Sequence, residues 1–472
     1  MNPSFDLIGV LAVLVATLAI GVFGLRISRT TGDFYVASRS VQPWLNASAI
    51  GGEYLSAASF LGIAGVIFVQ GSWGVWFPIG YTAGYLLLLL FIAAPLRRSG
   101  AYTLPDFTGS RLESLAVRRV TSVLVLVIGW LYIVPQLQGA SLVLGLAAGL
   151  PDWLGSALVA AIVSGLVAVG GMRSITYVQA FQYWFKLVAI AVPAVVVASA
   201  TIASHPVSVT LAPIVEQSTP GVVSTLSLLI ALLLGTMGLP HVLVRFTTNP
   251  NGEATRQTSV LVLVLLSTFY LGPTVLGLFG PVVAPNALGE TRSDALVLLL
   301  PSALIAGPIG QALTALVVAG AFAAFLSTSS GLVTSLAGVL SQEFAGGTVR
   351  GFRAAAIVST AVPLAVTFVL TPGNLAGSVG LVFAFTAATI APVLLLSVWW
   401  RGLTAKAAIA SMSAGGLVTL IAVLLPGIDW LRQPAIIAVP LAFATALLGS
   451  RLDRAHRPKS TERTLARLHS PD

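Results

Sequence analysis

The chain has no cysteine, only four histidines and only fifteen acidic residues in 472. Without cysteine there are no disulfides and no thiolate metal sites. His205, His241, His456 and His469 are too scattered along the sequence to form a metal cluster. Charged residues are 8% of the chain and hydrophobic ones 57%, which is far from the composition of a soluble domain. The net charge of +9 therefore has no soluble basic face on which nucleic acid could bind. No nucleophile–base pair or metal constellation is visible, so the chain is not read as an enzyme and no cofactor is expected. What is abundant is apolar sequence in runs of about 20 residues, each long enough to cross roughly 30 Å of hydrocarbon. This is an all-α integral membrane protein. The N-terminus has no basic n-region and no convincing cleavage site, so the first run is read as a retained helix.

About thirteen spans are expected, with edges uncertain by a few residues. They fall near 5–26, 44–69, 73–96, 120–148, 152–170, 175–203, 222–245, 257–284, 307–341, 352–371, 374–400, 404–425 and 433–450. Cytoplasmic loops collect Lys and Arg. An outside N-terminus and an inside C-terminus send Arg26, Arg29, Arg39, Arg97, Arg98, Arg111, Arg118, Arg119, Arg173, Arg245, Arg256, Arg350, Arg353, Arg401 and Lys406 inward. The six basic residues of the tail 451–472 follow them, while Arg292 and Arg432 fall outside and Lys186 lies within a span. The tail is expected to be a basic cytoplasmic flank, able to touch anionic lipid.

With the first span and the last two set aside, residues 1–450 form one transporter domain built from two five-span halves, about 44–203 and 222–400. An odd number of spans per half forces opposite orientations, the inverted-repeat arrangement of many secondary transporters. Each half begins with an irregular span. In the first, Gly51-Gly52 precede a lone carboxylate, Glu53, and Ser56 and Ser59 follow it. Burying an acid in hydrocarbon costs several kcal/mol, so such a residue normally faces a wet cavity or a partner. Backbone broken at membrane depth is tolerated where it lines a cavity. The alternative is a kinked structural helix with Glu53 near an interface. In the second half, Gly235, Gly238 and Pro240 interrupt the ladder just before His241. Paired interruptions of this kind point to a midplane binding site.

In the ninth span, Ala324, Ser327 and Thr328 fall at i, i+3 and i+4 on one helical face. Two hydroxyls and a free carbonyl offer hard oxygen donors without net charge, suiting a monovalent cation; a divalent site wants carboxylates. The competing reading is back-bonding to the i−4 carbonyl or to a neighbouring helix.

Three stretches resemble the sodium:solute symporter family. Gly238-Leu239-Pro240-His241-Val242-Leu243-Val244-Arg245-Phe246 is similar to its Gly-x-Pro-His-x-x-x-Arg-Phe pattern, Gly170–Gln182 is similar to its Gly-Gly-…-Gln signature, and the Ala324/Ser327/Thr328 set matches its sodium-binding helix. The resemblance covers about residues 5–450 and implies the LeuT-type 5+5 inverted repeat, with one extra N-terminal and two extra C-terminal helices. It also implies a sodium ion held by the carbonyls of Gly52, Leu55 and Ala324 and the hydroxyls of Ser327 and Thr328. Gln179 stands where proline and sugar members often carry Asp. That departure, with Gly52–Phe60 and Tyr132–Gln136, looks more like the acetate and monocarboxylate branch, which commonly has Asp in place of Glu53. Some acetate members lack the hydroxyl pair kept here, so their coupling ion does not transfer and proton coupling stays open.

Lys186 lies about 13 residues beyond Arg173, roughly 20 Å along a helix, too deep for easy snorkelling. Pairing with Glu53, attraction of a substrate carboxylate, a charge change during the cycle and a hydrogen bond across a helix interface are its possible roles. Arg245 reads as a cytoplasmic flank and His241 as a packing or gate residue. The expected function is cation-coupled, sodium-driven import of a short-chain monocarboxylate such as acetate, propionate or pyruvate. The alternative is a sodium/proline or other amino-acid symporter. The anion would lie near Glu53, Tyr54, Gly238 and His241, with Gln136 and Gln179 donating amide hydrogens and a bound sodium offsetting Glu53. No channel filter motif appears, and a tail of 22 residues is too short for a signalling domain. The composition, rich in Arg, Ala, Gly and Val, points to a bacterium and its inner membrane.

Overall fold

Prolines and short hydroxyl residues set where the helices begin. Pro43, Pro240 and Pro308 occupy first-turn positions, where a missing N–H costs nothing. Thr30 and Thr103 close capping boxes with Asp33 and Asp106. The computed structural model describes residues 3–26, 28, 30–204, 221–283, 293–370, 373–425 and 433–470. Arg29, His205, Arg292 and Arg432 lie outside them.

The described residues are helical almost throughout. Ten helices are long and apolar enough to cross a membrane, or up to eleven with the bent pair Val222–Gly238 and Pro240–Phe246 taken as one span. The expected thirteen are not reached by that count, for local reasons. Asp152–Ser204 is continuous in hydrogen bonding but turns at Gly171 (φ 58°, ψ −166°), where a Cβ would sit 2.7 Å from the Phe34 ring. Ala58–Ser99 counts once although Gly71 (φ 60°) ends a helix inside it. Pro43–Tyr54, with 12 residues, is too short alone.

Helices Pro308–Phe344 and Leu375–Trp399 lie deepest, with over 70% of their apolar windows buried, against 28% for Pro3–Gly24. The outward faces carry large apolar side chains such as Leu11, Val15, Val195 and Leu271, the surface a lipid-solvated bundle presents. The first interrupted segment, Pro43–Gln70, packs against the second part of Asp152–Ser204 and against Gly252–Val283. The second, Val222–Phe246, packs chiefly against Leu375–Trp399.

The tail is a docked element. Helix Thr461–His469 buries Leu465 and Leu468. Arg467 Nε donates to Arg98 O at 3.1 Å, Arg98 Nη1 donates to Leu468 O at 3.3 Å, and Arg111 Nη1 donates to Thr461 Oγ1 at 3.2 Å. Glu113 accepts the N–H groups of Lys459 and Ser460 at 3.1 and 2.9 Å. With the Ser460 hydroxyl, these bonds hold its carboxyl below the usual glutamate range.

Candidate functional site

Helix Pro43–Tyr54 stops at Leu55 (φ −76°, ψ 84°), and the chain becomes helical again at Ala57–Ala58, with Ser56 at the break. A break frees carbonyls on one side and N–H groups on the other, and buried backbone groups must find partners. Here each partner comes from a distant part of the chain. Lys186 Nζ donates to Gly52 O at 2.5 Å, to Leu55 O at 2.8 Å and to Ser327 Oγ at 2.9 Å. Thr328 Oγ1 donates to Glu53 O at 2.7 Å. The Ala57 N–H donates to Gln136 Oε1 at 2.9 Å.

The fold thus brings the five residues of the expected sodium set to one place, and each of the five groups is already engaged. Ser327 Oγ, besides accepting from Lys186, donates to Ala324 O at 3.1 Å. An ammonium has three donors and no acceptor, and the three oxygens around Lys186 match them one for one. Lys186 is fully buried, as are Ser327 and Thr328.

Glu53 meets Arg245, not Lys186. Arg245 Nε lies 2.6 Å from Glu53 Oε2, with the two side chains 0% and 1% exposed. Arg245 Nη1 also donates to Thr176 Oγ1 at 2.8 Å, and Nη2 donates to Gln179 Oε1. The reading of Arg245 as a surface flank is therefore corrected: it is an interior cation joining both interrupted helices. The close fit depends on missing side chains. A Cβ on Gly331 would stand 2.1 Å from Glu53 Cδ, and one on Gly52 would stand 2.2 Å from Gln179 O. Gln179 Nε2 donates to Ser327 O at 2.7 Å, and Gln136 Nε2 lies 3.5 Å from Tyr132 O. Each amide NH2 thus gives one hydrogen to the protein's own backbone, and each has a second hydrogen for the expected donation to a substrate.

The second break is built differently. Val222–Gly238 ends, Leu239 is extended (ψ 114°), and Pro240 starts the next segment at a 45° bend. Gly238 is a packing contact: a Cβ there would lie 2.8 Å from Thr386 Cγ2. Tyr54 ties the two breaks together, its hydroxyl 3.0 Å from Thr236 Oγ1 and donating to Tyr81 O at 3.1 Å. His241 is buried, with its ring 5.3 Å from that of Tyr132 and neither nitrogen hydrogen-bonded. Tyr132 and Tyr81 both pack against Phe383, at 6.0 and 5.0 Å, and Tyr81 stacks on Tyr270 at 6.1 Å. The Tyr81 hydroxyl is also without a partner.

Sequence reasoning did not single out Tyr81, Tyr270 or Phe383. A signal existed: seven of the nine tyrosines (Tyr54, Tyr81, Tyr85, Tyr132, Tyr177, Tyr183, Tyr270) sit inside apolar spans, and all but Tyr177 are buried. A phenol in a membrane interior needs a polar neighbour. Among the described residues no group of three or more His, Asp or Glu side chains could hold a metal ion. The arrangement is a cluster of packed aromatic rings between two helix breaks, with one buried carboxylate and two buried cations at the first break.

The family model for the sodium:solute symporter family matches residues 34–415. The chain is 29% identical to an uncharacterized symporter, YwcA, of Bacillus subtilis (strain 168), over 94% of this chain and 93% of that protein. It is 28% identical to a monocarboxylic acid transporter of Corynebacterium glutamicum, over 95% and 91%. Among solved structures it is similar to a Na+-coupled sialic acid symporter in a substrate-bound outward-open state (TM-score 0.76, 14% identity, 95% of this chain and 97% of that one). It is also similar to a nucleobase-cation-symport-1 family transporter in a closed conformation (TM-score 0.58, 14% identity, 92% and 98%). The fold is the LeuT-type transporter fold.

Proposed function

The chain belongs to the sodium:solute symporter family, and from that premise we propose that it imports a short-chain monocarboxylate such as acetate, propionate or pyruvate by cation-coupled symport. One observation carries the substrate class. At the first break the buried ionic groups are Glu53, Arg245 and Lys186, one negative and two positive. Glu53 is matched by Arg245, which leaves the region with one uncompensated positive charge. Low dielectric makes such an imbalance costly, and a monoanion removes it. A zwitterionic amino acid or a neutral sugar does not. The expected need for a sodium ion to offset Glu53 falls away, because Arg245 does so already.

The unpartnered donors near the breaks, His241 and the Tyr81 hydroxyl, suit a carboxylate head, and the rings of Tyr132, Tyr270 and Phe383 suit a short apolar tail. The name of the Corynebacterium relative agrees with this substrate class. Sodium is the coupling ion that the family name carries, with the proton as the alternative. The protein is assigned to a bacterial inner membrane, N-terminus outside and C-terminus inside. The arginines that hold the tail helix, Arg98 and Arg111, lie at the same end as the tail's own basic residues, as the Lys/Arg bias requires. Residues 1–450 act as one transport domain, with halves near 44–203 and 222–400.

Uptake of labelled acetate, propionate, pyruvate and proline into proteoliposomes, under separate sodium and proton gradients, tests the reading. Mutual competition among the monocarboxylates is expected, with no effect of excess proline. Proline uptake insensitive to propionate would replace the assignment with the amino-acid alternative. Impermeant labelling of Pro3→Cys from outside and of Ser470→Cys only after permeabilisation is the expected topology; the reverse pattern would overturn it.

A further inference from the structure

We propose that the cation at the first helix break is the chain's own. The Lys186 ammonium is the resident of the oxygen cluster made by Gly52, Leu55 and Ser327, and no sodium ion binds there while it is in place. Three observations meet on this point. The ammonium has three N–H groups, and three oxygens accept them at 2.5, 2.8 and 2.9 Å, so its hydrogen-bonding capacity is full. The other two members of the expected sodium set are also committed, Ala324 O to the Ser327 hydroxyl and the Thr328 hydroxyl to Glu53 O. Finally, Lys186 is fully buried, in a span where its ammonium lies too deep to snorkel to the membrane surface. A sodium ion entering this cluster would have to take oxygens from a like charge tethered among them.

The consequence is mechanical as well as ionic. A free ion can leave a site made of two helices and let them part. A tethered ammonium, covalently part of Asp152–Ser204, ties that helix by hydrogen bonds to the break at Gly52–Leu55 and to the helix carrying Ser327. Lys186 is then a positioning residue for the break. Any sodium that drives transport binds elsewhere on the protein. The inference depends on the symporter reading only for its bearing on transport, because the binding measurement below requires no substrate.

The test measures sodium binding to purified protein, by radiolabelled sodium and by thermal stability in sodium chloride against choline chloride at equal ionic strength. In the wild type, no saturable sodium binding that depends on Ser327 and Thr328 is expected. Lys186→Ala vacates the cluster and is expected to gain sodium-dependent stabilisation, which Ser327→Ala then weakens by about tenfold or more in sodium affinity. Saturable binding in the wild type that Ser327→Ala/Thr328→Ala abolishes would overturn the proposal. Binding that survives those two substitutions lies at another site and agrees with it. A folded Lys186→Ala protein that gains no sodium response shows that the cluster is not a cation position, which also overturns it. Should Lys186→Ala not fold, Lys186→Gln takes its place, and the wild-type result decides on its own. Failure of monocarboxylate uptake would remove the proposed substrate and leave this result untouched.

Discussion

The two helix breaks that face each other across the core are held open by different forces. At the first, between Gly52 and Ala57, the freed backbone groups are taken by Lys186, Thr328 and Gln136, and the adjacent Glu53 is locked to Arg245. At the second, between Gly238 and Pro240, proline supplies no N–H, Leu243 N returns to Leu239 O at 3.1 Å, and Gly238 is pressed against Thr386. One break is a polar hub whose shape depends on charge. The other is fixed by covalent geometry and close packing. Ionic conditions and substrate charge should therefore act on the first break, and steric changes should be felt at both.

The sharpest way to break this contrast is to strand one charge. Arg245→Met leaves Glu53 buried without its partner, and the expected loss is about 3–5 kcal/mol of stability. Thermal unfolding in detergent should show it as a large fall in Tm. Glu53→Gln added to Arg245→Met should recover part of that loss, since neighbouring residues couple. If the double variant is no better than Arg245→Met alone, the pair is not what holds the first break.

A smaller effect compares the breaks directly. Gly52→Ala drives a methyl to 2.2 Å from the Gln179 backbone oxygen, whereas Gly238→Ala meets a threonine methyl at 2.8 Å. Overpacking of this kind costs typically about 1–3 kcal/mol, with Gly52→Ala expected at the upper end because backbone yields less than a side chain. Unfolding midpoints of the two variants check the order, and a reversed order would mean that the first break is the looser of the two.

The smallest effect is at the surface, where the tail helix Thr461–His469 combines both modes. Leu465 and Leu468 pack it, and Glu113 caps its approach by accepting from Lys459 and Ser460. The Glu113 carboxyl is held below the usual range in the docked state. Its contribution is therefore complete above the undocked value, near pH 4, and is lost as pH falls through the lower docked value. Cysteines placed at the exposed Ala116 and at Ser470 in this cysteine-free chain report tail docking by spin-label distance. Docking should loosen slightly under acid, and Glu113→Gln should show the loosened distance at neutral pH with the acid step gone. An unchanged distance in that variant would leave packing alone responsible.

The legible part of this fold was whatever acts locally. Gly51-Gly52 and Gly238-Leu239-Pro240 weaken helices by their own chemistry, and the chain does break just after the first and at the second. Ala324, Ser327 and Thr328 share a face because 3.6 residues make a turn; the Thr328 hydroxyl reaches the first break directly and the Ser327 hydroxyl reaches it through Lys186. The span count was less legible, because Gly171 and Gly71 bend continuous apolar sequence without ending it. Least legible were the partners. Arg245 looked like a flank because it ends an apolar run beside Thr247, Thr248 and Asn249. Those residues instead fold back into the interior, where Asn46 Nδ2 donates to Arg245 O at 3.0 Å and Asn249 Nδ2 donates to Thr258 Oγ1 at 2.8 Å.

By itself the sequence determined a helical membrane transporter with two interrupted spans, because hydropathy, glycine and proline act over a few residues. Only the tertiary structure decided which cation faces which oxygen. Lys186 and Gly52 are 134 positions apart, and Arg245 and Glu53 are 192 apart. Over such separations no periodicity carries information. A buried charge is placed by the packing that brings its acceptors together, and here that packing gave the carboxylate to arginine and the backbone oxygens to lysine.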